Sequence, residues 1–235
     1  PAEARAIRLI HCAVDHGIGL IDTAPGYGSA EEIVGKAISE IGPRPAVATK
    51  VHSDPKLLQA EAACETQLIE HMAYSVDSSL RYLRCDCLDL VQLYLTGVVL
   101  PVSESIVGAM ERLVDEGKVR YWAATTYGSD EPDHVLDRGD PFRAIQLPFN
   151  ILDRSLGDCI IPRCHETGTG ILVRNVFFQG VLSPAVERLP DRLFSARSRL
   201  QGLTLSFPKF LLYHLAYKFS HADASLLGGL FQTRI

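Results

Sequence analysis

Short apolar, β-branched runs alternate along the chain with stretches whose apolar residues recur every three or four positions. The first pattern predicts strands and the second amphipathic helices. Runs at Ile18–Asp22, Ala46–Lys50, Leu88–Tyr94, Val119–Ala124, Arg143–Leu147 and Gly170–Arg174 read as strands, with Ala224–Leu227 as a seventh. Helical spacing predicts helices over Ser29–Glu40, Thr66–Leu83, Val102–Glu116, Pro132–Asp137, Leu156–Thr167 and Leu203–Phe219. In the second of these, Leu68, Ile69, Met72, Val76 and Leu80 share one side. The third opens on a capping-box pattern at Ser103, but Ile106 stands where a Glu would reciprocate, which predicts a weak cap. Gly117 suits its C-terminal stop. Phe178–Gly202 has no period, carries Pro184 and Pro190, and reads as a surface excursion.

Strands alternating with helices imply βαβ units and a parallel sheet. Seven strands at regular intervals favour an α/β fold of the (β/α)8 TIM-barrel type, incomplete in this chain, over an open two-layer sheet. With no linker, repeat or low-complexity segment, residues 1–235 are expected to form a single barrel domain.

Composition narrows the functional classes. The chain has 235 residues, 47% hydrophobic and 22% charged, which suits a globular protein. A formal charge of −5 argues against a general nucleic-acid binder, since phosphate neutralisation needs clustered Lys and Arg. No apolar run approaches the ~18 residues of a membrane span. Six cysteines without a CxxC pair are expected as free, buried thiols in a reducing compartment. The opening PAEARAIRLIHCAVDHG lacks an apolar leader core, so the cytoplasm is the expected location. Cys159, Cys164 and His165 lack the paired spacing of a zinc site, and no metal is expected.

In a parallel barrel the catalytic groups lie at the carboxyl ends of the strands. Asp22, Lys50 and Tyr94 each end a strand, and Tyr27 lies just beyond one. Taken singly, such residues are turn, surface or core residues; their convergence on one mouth gives them chemical meaning. A tyrosine hydroxyl is a poor proton donor at neutral pH. A lysine cation within ~4–6 Å favours the phenolate, and an aspartate beside the lysine holds the ammonium in place. The trio Asp22, Lys50 and Tyr27 would then act as a general acid toward a carbonyl oxygen.

The blocks GIGLIDTAPGYGSAEEIVGKAI, AVATKV, SLRYLRCDCLDLVQLYL, GKVRYWAATTYG and QLPFNILDR follow one another in the chain. In content, order and spacing this series resembles the aldo/keto reductase family over roughly residues 5–182. The resemblance implies a (β/α)8 barrel that binds NADPH without a Rossmann fold and moves hydride between nicotinamide and a carbonyl or alcohol. It assigns Tyr27 as proton donor, with Asp22 and Lys50 as its tuners. The family's catalytic His matches Tyr94, a phenol in place of an imidazole.

The family's Ser-Asn pair at the nicotinamide carboxamide matches Thr125 and Thr126, and its next carboxamide contact is retained as Gln146. Its S-P-L-G/A stretch matches Asn175 to Phe178, with Arg174 where a ring often stacks on the nicotinamide. Matched in this way, residue 1 already lies at the family's first helix. By this match the first barrel strand and the last helix are expected to be missing, and the family's adenosine 2′-phosphate contacts to begin at Gln232–Ile235.

Three functions are therefore weighed. The first is an NADPH-dependent oxidoreductase acting on a small carbonyl, alcohol or sugar-like substrate. The second is the same barrel running a redox-neutral dehydration or isomerisation, suggested by Tyr94. The third is a non-catalytic binding subunit. Neither nucleic acid nor membrane is an expected partner, and a homo-oligomer is compatible with all three.

Overall fold

The computed structural model describes residues 2–51, 63–94, 102–126, 130–178 and 182, with the side chains of 63–65 and Tyr94 excepted. Six strands alternate with helices: α1 (Ala2–Asp15), β1 (Leu20–Asp22), α2 (Ala30–Ser39), β2 (Ala46–Lys50), α3 (Ala63–Leu83), β3 (Leu88–Tyr94), α4 (Glu104–Asp115), β4 (Val119–Thr125), α5 (Asp130–Arg138), β5 (Phe142–Pro148), α6 (Ile160–Thr167) and β6 (Gly170–Arg174). The helix expected at Leu203–Phe219, the strand at Ala224–Leu227 and nearly all of the Phe178–Gly202 excursion lie outside the described residues.

All five strand pairings are parallel, and the strands follow one another in chain order from β1 to β6. An open doubly wound sheet reverses its strand order at a switch point. Here there is no reversal, so right-handed crossovers place successive helices on one side. The result is the curved arc of an incomplete (β/α)8 barrel.

Side-chain parity separates the two faces of this arc. Ile21, Val47, Val91, Leu93, Trp122, Ala124, Ile145 and Leu147 point outward into one core shared with the helices. Trp122 is fully buried there, and its Nε1 donates to the Met110 carbonyl of α4 at 3.0 Å. Ala48, Ala123, Ala144 and Leu172 form a second, smaller cluster on the inner face. Three alanines and a leucine, with Leu20 and Leu90 packed against them, fill this face, as side chains do inside a small barrel.

α2 and α3 pack at backbone distance. A Cβ added at Gly35 would lie 2.3 Å from the Tyr82 carbonyl oxygen, so only glycine permits this crossing. Ser103 does cap α4: its side chain accepts from the Ile106 amide despite the missing Glu. α6 starts at Ile160, later than its apolar spacing suggests, because Arg154–Gly157 closes as a turn, with the Gly157 amide on the Arg154 carbonyl at 2.9 Å. Leu156 is nevertheless buried, which explains its helix-like signal.

Cys12, Cys85, Cys87, Cys159 and Cys164 are free thiols, but only Cys164 is fully buried; Cys12 and Cys159 are exposed. Among the described residues no helix is long and apolar enough to cross a membrane. Nor, among them, does any group of three His, Cys, Asp or Glu side chains suit a metal ion.

Candidate active site

The inner-facing residue at or near the carboxyl end of each strand is polar: Asp22 on β1, Lys50 on β2, Gln92 on β3, Thr125 on β4, Gln146 on β5 and Arg174 on β6. Lys50 is level with Gln92, and Thr125 with Gln146. Alternation along each strand produces this row, since the same parity that sends Val47 or Ile145 outward sends these residues inward. Asp22, Lys50, Gln92, Thr125, Thr126 and Gln146 are all buried.

Lys50 is saturated. Its Nζ donates to Asp22 Oδ1 at 3.0 Å, to Asp22 Oδ2 at 2.9 Å and to the Thr23 carbonyl at 2.9 Å. An ammonium has three N–H groups, and these three acceptors account for them. Tyr27 stands beside this pair, held by the turn that follows β1. Its amide donates to the Ala24 carbonyl at 3.0 Å, and Gly28 takes the positive φ of +62° that lets the chain turn into α2. The Lys50 ammonium lies 5.1 Å from the Tyr27 ring centroid, a cation–π distance. Tyr27 is 38% exposed, so its ring is open to the mouth while the pair behind it is closed off.

The structure thus brings together Asp22, Lys50 and Tyr27. It also adds Gln92, which enters the sequence reading only as part of the SLRYLRCDCLDLVQLYL stretch. Gln92 is 0% exposed; its Nε2 donates to Asp22 Oδ1 at 2.6 Å, and its Oε1 accepts from Thr125 Oγ1 at 2.9 Å. The signal was a polar residue between Val91 and Leu93 in the second half of β3, at the same parity as Tyr94. Tyr94 itself ends β3 level with Thr125, but its side chain lies outside the described residues.

On the other side of Thr125 the rim continues. The Thr126 amide donates to the Gln146 carbonyl at 2.9 Å, and Arg174 Nη2 donates to the Thr126 carbonyl at 3.0 Å. Asn150, also missed in the sequence, joins the loops after β5 and β6. Its Nδ2 donates to the Asn175 carbonyl at 3.2 Å, while its Oδ1 accepts from the amides of Leu152 and Asp153. Asn175 itself adopts a φ of +62°, a region Asn tolerates better than most residues. Within the row, Gln146 Nε2 is buried and has no hydrogen-bond partner among the described residues. A buried donor left unpaired is costly, which fits a site completed by a ligand that offers an acceptor.

Behind β2, Glu31 of α2 is buried and accepts from Thr49 Oγ1 at 2.7 Å. Burial pushes its carboxyl above the ordinary range, and the Thr49 bond opposes that rise.

The model of the aldo/keto reductase family matches residues 1–221. The chain belongs to that family. It is 33% identical over 186 residues to the aldo-keto reductase YhdN of Bacillus subtilis (strain 168), covering 77% of this chain and 54% of that one. The aldo/keto reductase of Klebsiella pneumoniae, solved in complex with NADP and acetate, superposes with a TM-score of 0.64 at 27% identity over 86% of this chain and 68% of that one. The apo form of the aldo-keto reductase AKR11C1 from Bacillus halodurans gives a TM-score of 0.63 at 26% identity, covering 97% of this chain and 75% of its own. The chain spans about half the length of the curated aldo-keto reductase it matches.

Proposed function

We propose that this chain carries the catalytic centre of an NADPH-dependent oxidoreductase that interconverts a carbonyl and an alcohol on a small molecule. The observation that carries the reading is the buried Lys50–Asp22 pair standing 5.1 Å from the ring of a half-open tyrosine. That arrangement offers a proton donor to the mouth and keeps its supporting charges out of water.

Tyr27 is the proton donor to the carbonyl oxygen. As its own oxygen takes on negative charge, the Lys50 cation stabilises it through space, because the lysine's donors are engaged elsewhere. Water exclusion around Lys50 strengthens that attraction. Asp22 keeps the ammonium oriented. By the family match, Tyr94 takes the sequence position of the family's histidine.

NADPH supplies the hydride when bound. The residues present fit it: Gln146 offers a buried, unpartnered amide donor to a carboxamide oxygen. Thr125 and Thr126 flank it, while Arg174 and Asn175 line the adjoining rim. The Klebsiella relative was crystallised with NADP and with NADPH, which supports the same cofactor here.

The test is a titration of the full-length protein with NADPH, followed by turnover of a panel of aldehydes, ketones and sugar-like alcohols. Binding with hydride-dependent turnover is expected. Absence of NADPH binding overturns the reading. Turnover with no nicotinamide present would replace it with redox-neutral chemistry.

A further inference from the structure

We infer that Gln92 is a positioning residue. It donates to the same Asp22 oxygen as Lys50 and fixes the direction in which the Thr125 hydroxyl can hydrogen-bond. Gln92 sits on β3 between β2 and β4, yet its side chain links Asp22 on β1 to Thr125 on β4. It therefore ties the half of the site that handles the proton to the half that would meet the cofactor. The second part rests on the function proposed above.

The polarity of the chain of bonds follows from its ends. Asp22, paired with Lys50, is ionised and can only accept. Gln92 must therefore turn its NH2 toward Asp22, and its carbonyl oxygen then faces Thr125. The single hydroxyl proton of Thr125 is directed to that oxygen, which leaves Thr125 Oγ1 an acceptor toward any bound group. Gln146, level with Thr125, presents the opposite character through its unpartnered Nε2. Consecutive bonds of this kind polarise one another in a dry interior. The charge on Asp22 thus strengthens Thr125 as an acceptor two bonds away.

Only a side-chain amide performs both tasks at all pH values, and asparagine is one methylene shorter. An isosteric apolar side chain would leave Asp22 short of one donor and Thr125 without its acceptor. A glutamate would keep the shape but, once ionised, would place a second carboxylate against Asp22.

The test uses Gln92→Glu and Gln92→Leu in the full-length protein. The apo protein is read by its unfolding midpoint as a function of pH. The introduced carboxyl, buried beside Asp22, holds its proton to a higher pH in the folded state than its unfolded value of about 4.3. The folded state then binds the extra proton more tightly, so stability is lost as pH rises above about 4.3 toward the folded value. Between about pH 5 and about pH 8, Gln92→Glu is expected to be least impaired at the acid end, where its neutral O–H replaces the amide N–H. It should lose several degrees of Tm relative to the native protein by about pH 8.

With NADPH and a turned-over substrate, kcat of Gln92→Glu should fall about tenfold or more over the same interval relative to the native profile, equivalent to the loss of one strong positioning contact. Gln92→Leu should lower kcat at every pH and weaken NADPH binding. Thr125→Val combined with it should cost less than the sum of the two single changes.

If Gln92→Glu tracks the native pH dependence in both Tm and kcat, the inference is overturned. Should Gln92→Leu fail to fold, the glutamate variant alone decides the matter. If the native protein does not bind NADPH, the proposed function fails. The Tm arm still decides the clamp on Asp22, because it needs no cofactor.

Discussion

Lys50 and Asp22 form an ion pair at 2.9 Å in which neither side chain is more than 7% exposed. Two charges removed from water this completely depend on each other. Removing one leaves the other buried and uncompensated, at a cost of about 3–5 kcal/mol. Lys50→Met should therefore lower unfolding free energy by about that amount in urea titrations. Pairing it with Asp22→Asn should recover much of the stability and none of the turnover. Recovery of both would show that the pair serves the fold alone.

Tyr27→Phe separates chemistry from architecture. The ring beside Lys50 stays, and the hydroxyl lost belongs to a residue that is 38% exposed. Tm should stay within about a degree or two, since surface changes of this size usually cost under ~0.5 kcal/mol. NADPH affinity should be nearly unchanged, while kcat falls by about 10²–10⁴, the usual contribution of a positioned proton donor. A variant that keeps native kcat would remove Tyr27 from the mechanism.

The buried Glu31 predicts a pH dependence of stability distinct from that of the mouth. Its carboxyl is raised above its unfolded range, chiefly by burial. The folded protein therefore holds this proton more tightly than the unfolded chain does. The stability tied to it is complete at acid pH and is lost as pH rises through the folded value. Glu31→Gln keeps an acceptor for Thr49 and has no proton to lose. Its Tm should gain on the native protein as pH is raised from about 4 to about 7. A constant difference across that range would contradict the assignment.

Two glycines in helices should respond with opposite signs to the same change. Gly35→Ala forces a methyl group against the backbone of Tyr82 and Leu83, and overpacking of this kind costs about 1–3 kcal/mol. Gly108→Ala in α4 meets open space and should add roughly 0.5–1 kcal/mol through helix propensity. Thermal unfolding of both variants checks the α2–α3 crossing directly.

The strands and much of the site were legible because one-dimensional alternation carries both. In Ala46–Lys50 the residue that ends the apolar run is also the one aimed at the mouth, so Lys50 could be nominated without coordinates. Asp22 and Tyr27 followed from the same reading of β1 and its turn. Gln92 was not nominated, because its importance lies in partners on β1 and β4, and no spacing within β3 reveals them. Asn150 was missed for a similar reason, since its contact to Asn175 bridges two loops 25 residues apart. Ser103 looked like a poor cap because the motif demands a reciprocal Glu; one half of the motif suffices to hold the Ile106 amide.

The separation of inward and outward side chains along each strand has a practical consequence. Trp122 and Ile145 pack against helices, while Thr125 and Gln146 on the same two strands face the mouth. Changes confined to one set share few neighbours with the other, and distant, unlinked substitutions combine additively. Laboratory evolution could harden the helical jacket first and then remodel the rim for a new substrate, with little conflict between the two campaigns.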